Sequence, residues 1–132
     1  MLAYLLVAIG GALGSVGRFW LSGMIAERAG ETFPWGTILV NITGSFVIGV
    51  FAALTAPEGR WAASPAVRQF FMIGICGGYT TFSSFSLQTL SLLRDRQWLF
   101  AGGNILASVF FCMLAVWLGY LLGAAAQSLK GS

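Results

Sequence analysis

Twelve residues in the middle of the chain, Gly74-Ile75-Cys76-Gly77-Gly78-Tyr79-Thr80-Thr81-Phe82-Ser83-Ser84-Phe85, carry most of its capacity for chemistry. Three glycines are followed by the hydroxyls of Thr80, Thr81, Ser83, Ser84 and Ser86, with Phe82 and Phe85 set among them. The run lies inside an apolar segment from about Val67 to Leu93. Glycine loosens the backbone, and non-helical backbone at membrane depth is tolerated only against protein or a water-filled cavity. The pattern therefore points to a broken membrane helix that lines a path for an ion or small solute. Phe82 and Phe85, three residues apart, share a helix face. A phenyl ring is electronegative on its face and electropositive at its edge, so edge-on rings can meet a small anion. Aromatics at helical spacing are more often simple packing; the neighbouring hydroxyls are what favour the path.

A second polar group stands in another apolar segment. Asn41 lies about two turns inside it, near Thr43 and Ser45. A buried amide must find partners, and helix-to-helix glue is the plain reading. Its two N–H donors would equally suit an anion in the path. Cys76 and Cys112 both fall in apolar segments and read as small packing residues, since a metal site or disulfide framework needs more partners and the chain has no histidine. No nucleophile stands beside a plausible base, which argues against an enzyme.

The elements that position these groups follow from composition. The chain is 58% apolar and only 8% charged, against about 25% charged in a soluble domain, so it has too little charge to face water. At roughly 20 apolar residues per span, its 132 residues allow four membrane helices and almost nothing outside them. The expected spans are residues 2–26, 35–55, 67–93 and 99–126, forming a single membrane domain over 1–132. Gly10 and Gly14 in the first span, and Gly119 and Gly123 in the fourth, are small-xxx-small pairs suited to close helix contact. Asn104 and Ser108 share one face of the fourth span, with Cys112 four residues further on. A bundle of four helices is too thin to enclose a substantial pore, so an oligomer is expected.

The seven basic residues, Arg18, Arg28, Arg60, Arg68, Arg94, Arg96 and Lys130, are scattered and make no stripe for nucleic acid. Arg18 alone lies well inside a span. It reads either as an anchor that snorkels to the interface or as a fixed positive charge that draws anions to a vestibule. The basic residues divide almost evenly between the two sides of the membrane, with Arg60, Arg68 and Lys130 against Arg28, Arg94 and Arg96 and Arg18 leaning toward the latter, three against four. The positive-inside rule needs an asymmetry to fix orientation. A chain without one is expected to insert both ways up and to pair with an inverted copy about a two-fold axis in the membrane plane. The acids Glu27, Glu31, Glu58 and Asp95 all fall in or beside loops, so no carboxylate within a span repels an anion. Their position also argues against a small multidrug antiporter, which needs a membrane-buried carboxylate to trade protons for cations. A non-transporting assembly subunit would explain the glycine pairs but not the cluster of hydroxyls.

These motifs resemble the small dual-topology fluoride channels of the Fluc or CrcB family. The resemblance covers all four spans. It rests on Gly10-Gly11 through Arg18, on Gly36-Thr37-Ile38-Leu39-Val40-Asn41 with Gly44-Ser45-Phe46, on Gly74 through Phe85, and on the spaced Asn104 and Ser108. Ser15 and Ser84 stand where the family often has Ala and Thr, and Asn104 and Cys112 replace other pore-facing residues. The resemblance implies an all-α integral membrane protein of four transmembrane helices, the third broken mid-membrane. It further implies an antiparallel dual-topology homodimer in the bacterial inner membrane, with two pores that pass fluoride passively and protect the cell from it. By the same resemblance Asn41, Phe82 and Phe85 contact the ion, while Ser84, Ser108, Thr37 and Cys112 lie along a polar track. Arg18 stands at the vestibule, and backbone carbonyls of Gly77 and Thr80 from both subunits hold a structural sodium ion. The partners it implies are fluoride, an inverted second copy and the lipid bilayer.

Overall fold

The computed structural model describes residues 1–130. The side chain of Lys130, one of the basic groups counted above, lies outside the described residues. Helices α1 (Leu2–Ala29) and α2 (Trp35–Leu54) form the first two spans. The third span is composite, made of α3 (Pro65–Arg68), a π-helical stretch (Gln69–Cys76), α4 (Gly77–Tyr79) and α5 (Phe82–Arg94). Helix α6 (Trp98–Lys130) is the fourth. All four spans are long and apolar enough to cross a membrane. At about 1.5 Å per residue, α1 and α6 are longer than the roughly 30 Å hydrocarbon core requires.

The ends of these helices follow local chemistry. Gly30, at φ 85°, ends α1 in a conformation that L side chains rarely adopt. Ser64 accepts a hydrogen bond from the Val67 amide, and Pro65 takes the first helical position of α3. At the end of α2, Gln127 Nε2 donates to the Leu54 carbonyl at 2.6 Å, and Arg68 Nη1 donates to Thr55 Oγ1 at 2.6 Å. These bonds tie the loop after α2 to the C-terminal part of α6, because the Gln127 oxygen also accepts from the Arg60 amide.

Small residues set the crossings. A Cβ on Gly10 would lie 2.6 Å from the Phe70 carbonyl oxygen, and one on Gly14 would collide with that of Ile75. The backbone of α1 therefore lies directly on the π-helical stretch. The pair Gly119 and Gly123 does the same for α6 on α2, against the carbonyls of Phe46 and Val50. Both small-xxx-small pairs read from the sequence are thus contact faces. Helix–helix attraction in lipid comes from such close packing rather than from burial of apolar surface. Around this frame, large apolar side chains such as Leu5, Ile9, Leu13 and Val16 on α1 point outward, as lipid-facing residues do.

Gly14→Ala is expected to destabilise the fold by about 1–3 kcal/mol, the usual cost of overpacking. Gly17→Ala, whose Cβ would meet only the Tyr79 ring at 3.9 Å, should be close to neutral. Thermal unfolding of the purified protein in detergent compares the two.

Candidate functional site

The third span breaks at Thr80 and Thr81. Both residues are extended, with φ, ψ of −86°, 158° and −152°, 117°. Upstream the helix has already widened to a π-helix, a form often found at functional sites. Downstream Thr81 starts α5 as its N-cap, its hydroxyl accepting the Ser84 amide at 3.1 Å. Gly44 on α2 makes room for this geometry, since a Cβ there would strike the Thr80 methyl and the Tyr79 ring.

An unsatisfied backbone group in a membrane costs several kcal/mol, and neighbouring side chains take up the bonds the break gives away. Asn41 grips Thr81 at two points, its Nδ2 donating to the Thr81 carbonyl at 2.9 Å and its Oδ1 accepting the Thr81 amide at 2.7 Å. On the other side Arg18 Nε and Ser15 Oγ donate to the Gly78 carbonyl, at 3.1 and 3.4 Å. Tyr79 is tied to Thr43 by a 2.8 Å hydroxyl contact. Arg18 accordingly turns inward to the break instead of reaching out to the interface. Asn41 combines both of its sequence readings: it binds two helices together, and one of its two Nδ2–H donors remains for the cavity beside it.

Among the carbonyls freed at the break, two have their helical amide partners held by side chains. The amide that would close on the Gly77 carbonyl in an α-helix is that of Thr81, and Asn41 holds it. The amide that would close on the Thr80 carbonyl is that of Ser84, and the Thr81 hydroxyl holds it. Both carbonyls are hard oxygen acceptors of the kind that alkali cations take up.

Two cavities meet at the break. The outer one, of about 890 Å³, is lined by Arg18 and Ser22 of α1, Trp35, Gly36 and Thr37 of α2, and Thr81, Ser84, Gln88 and Ser91 of the third span. The inner one, of about 390 Å³, is lined by Asn41, Gly44, Ser45, Cys76, Gly77, Thr80, Thr81, Phe82, Phe85, Ser108 and Cys112. Thr81 borders both. Every site residue read from the sequence therefore lies on one of the two: Arg18, Thr37 and Ser84 on the outer, the rest on the inner. The rings of Phe82 and Phe85 do meet, with centroids 5.2 Å apart, but their surroundings differ. Phe85 is buried, whereas Phe82 is 76% exposed in the single chain.

The field in this space favours an anion at depth. Helix α2 begins at the outer cavity with no acidic residue in its first turn and no side-chain cap, so its free amides present a positive end. Thr37, a buried residue in the first turn of the helix, borders the same space. Helix α5 likewise points its N-terminal end to the junction at Thr81. No carboxylate lines the inner cavity. Glu27, Glu31 and Asp95 do line the outer one, at helix ends and in the first loop, so the mouth is acidic while its floor carries Arg18. From the sequence the acids read only as lying in or beside loops, and three of them form this rim.

Sequence reasoning also passed over three lining residues. Thr81 was seen only as one hydroxyl among several; a Thr three residues before Ser84 at the start of an apolar period is the N-cap signal that marks it. Ser84, Gln88 and Ser91 recur at helical spacing on α5, a polar stripe that faces the outer cavity. Gln88 Oε1 is the one buried side-chain polar atom without a partner among the described residues.

Four apolar spans around a helix break, with a donor-lined space on each side of it, define a small membrane-embedded transport protein. The family described as CrcB-like protein, Camphor Resistance (CrcB), matches residues 5–120, and the chain belongs to that family. It is 61% identical to the fluoride-specific ion channel FluC of Opitutus terrae over 132 residues, the full length of both chains. It is 55% identical to the protein of the same name from Methylocella silvestris, across 98% of each chain. For the one from Rhodospirillum rubrum the identity is 59%, across 91% of this chain and 93% of the relative.

Asn41→Leu would leave the Thr81 amide and carbonyl unpaired together and should destabilise the fold by roughly 2–4 kcal/mol. Tyr79→Phe, which removes only the hydroxyl contact to Thr43, should cost about 1 kcal/mol. Unfolding in detergent measures both, and equal losses would contradict the two-point grip.

Proposed function

We propose that this chain is a fluoride-selective channel that lets fluoride leave the cell down its electrochemical gradient. The observation that carries the reading is a pair of cavities that share Thr81, one with Arg18 and the other with Asn41 in its lining, and no carboxylate beyond the mouth. The relatives, fluoride-specific ion channels by name, supply the ion. Fluoride is small and binds water tightly, so a pore must replace its hydration shell with closely placed donors, and larger halides fit such a site poorly.

In this mechanism Arg18 and the amide end of α2 offset the acidic rim and concentrate the anion at the vestibule floor. The hydroxyls of Thr37 and Ser84 exchange with its outer waters. At the break the remaining Nδ2–H of Asn41 and the edges of Phe82 and Phe85 take over, and Ser108 and Cys112 continue the lining. Phe82 bears on assembly as well, because a large ring left uncovered beside a polar cavity calls for a partner surface. A second copy in inverted orientation would cover it and complete two pores, an arrangement the even spread of basic residues permits. The Gly77 and Thr80 carbonyls of both copies would hold a sodium ion at their junction, where it joins the two breaks electrostatically and is not transported. Fluoride export of this kind protects a bacterial cell from fluoride toxicity.

Proteoliposomes loaded with fluoride and chloride, clamped with a potassium ionophore, should release fluoride rapidly and chloride negligibly. Release of neither ion from monodisperse protein would overturn the channel reading. Asn41→Asp, which places a carboxylate in the path, should abolish the fluoride flux. Phe82→Leu and Phe85→Leu should lower it by roughly tenfold or more if each ring edge contributes a contact of about 1.4 kcal/mol, while the dimer stays intact by size exclusion. Exchanging sodium for a bulky organic cation should weaken the dimer; stability that follows detergent alone would count against the sodium site.

A further inference from the structure

Behind the inner cavity runs a chain of buried hydrogen bonds that the conduction mechanism above does not use. Ser108 Oγ donates to Asn104 Oδ1 at 3.1 Å, Asn104 Nδ2 donates to Thr89 Oγ1 at 2.8 Å, and Thr89 Oγ1 donates to the Phe85 carbonyl at 2.7 Å. Asn104 is 1% exposed, and Thr89 and Ser108 are both buried. Of the three polar side chains only Ser108 borders the cavity. Simple helix-to-helix glue would need no more than one of these bonds.

The chain has a direction, and the direction decides what Ser108 offers to the path. A hydroxyl has a single proton. While Asn104 turns its oxygen toward Ser108, that proton is taken and Ser108 presents only lone pairs to the cavity, which suits water but not an anion. Rotation of the Asn104 amide by half a turn reverses every link. Asn104 Nδ2 then donates to Ser108, and Thr89 donates to Asn104 Oδ1 instead of to the Phe85 carbonyl. The Ser108 proton is freed toward the cavity. The Phe85 carbonyl still lies within α5, where the helical amide of Thr89 serves it. Both arrangements leave the buried amide bonded at each end, so neither carries the cost of an orphaned polar group.

We infer that Asn104 and Thr89 form a reversible hydrogen-bond relay that switches the Ser108 hydroxyl between acceptor and donor as an anion enters the inner cavity. Asn104 and Thr89 are positioning residues in this scheme, since neither borders the cavity. The inference rests on the fluoride-channel reading, and it adds that the lining is not fixed: the anion selects the donor form of Ser108 by binding it better.

The test measures fluoride efflux from proteoliposomes for the unaltered protein and four variants. Thr89→Ser keeps the relay hydroxyl and should conduct like the unaltered protein. Thr89→Val, of nearly the same shape, removes it and should slow efflux about tenfold. Asn104→Asp places a carboxylate there, which can only accept, so Ser108 is held with its proton turned away. Efflux should then be slow at high pH and recover as pH falls and the new carboxyl becomes a donor, and adding Ser108→Ala should remove that pH dependence. A carboxylate that merely repelled the anion would keep its pH dependence when Ser108→Ala is added, and that result also overturns the relay. Equal efflux for Thr89→Ser and Thr89→Val overturns the relay, as does a flat profile for Asn104→Asp. The Thr89 pair decides the matter if the charged variant does not fold. An unaltered protein that conducts no fluoride would instead overturn the channel reading itself.

Discussion

The structure depends on one constraint: a membrane helix cannot stop hydrogen-bonding at mid-depth unless something else takes over. Thr80 and Thr81 leave the helix, and Asn41, Arg18, Ser15 and the Thr81 hydroxyl replace the lost bonds. Each replacement has a geometric condition. Asn41 reaches Thr81 because Gly44, less than one turn away, lets α2 approach the break. Arg18 and Ser15 reach Gly78 because Gly10 and Gly14 let α1 lie on the π-helical stretch. The glycines of the first two spans and the polar residues beside them are therefore parts of one device, and the cavities on either side are what the device leaves open.

The same exchange couples stability to transport. The side chain best placed to donate to an anion in the inner cavity is also the one that holds the break together. Half of the donor capacity of Asn41 is committed to Thr81, which fixes the direction of the other half. A donor fixed in this way loses little on meeting an ion, the usual benefit of preorganisation. The charge distribution works in sequence along the path. The rim carries Glu27, Glu31 and Asp95, the floor carries Arg18 and a helix N-terminus, and the inner cavity carries only neutral groups. Neutral donors suit an ion that must leave as well as enter, since a fixed positive charge at the narrowest point would hold it.

Much of this was legible in the residues. The four spans follow from composition and run length. Most helices exceed the expected limits by a few residues, as at Ala29 and Arg94, because a helix continues until a turn residue such as Gly30 stops it, while α2 stops one residue short at Leu54. The break was signalled by glycines and hydroxyls placed where lipid gives them no reason to be. Gln88 was less visible, since a single amide in a helix says nothing until its face is known. The acidic rim was hidden for a similar reason: Glu27, Glu31 and Asp95 are far apart in the chain and meet only because α1 and α5 end at the same cavity.

The sequence by itself determined that the protein lies in a membrane, where its spans run, and that one of them is interrupted by polar residues. These are properties of segments, set by transfer free energies and backbone freedom that each residue carries wherever it stands. Only the tertiary structure decided which bonds are made across the interruption. Asn41 to Thr81, Arg18 to Gly78 and Asn104 to Thr89 join residues 40, 60 and 15 positions apart. A hydrogen bond depends on distances of a few tenths of an ångström and on the direction of the donor. Those quantities exist only once the helices have packed.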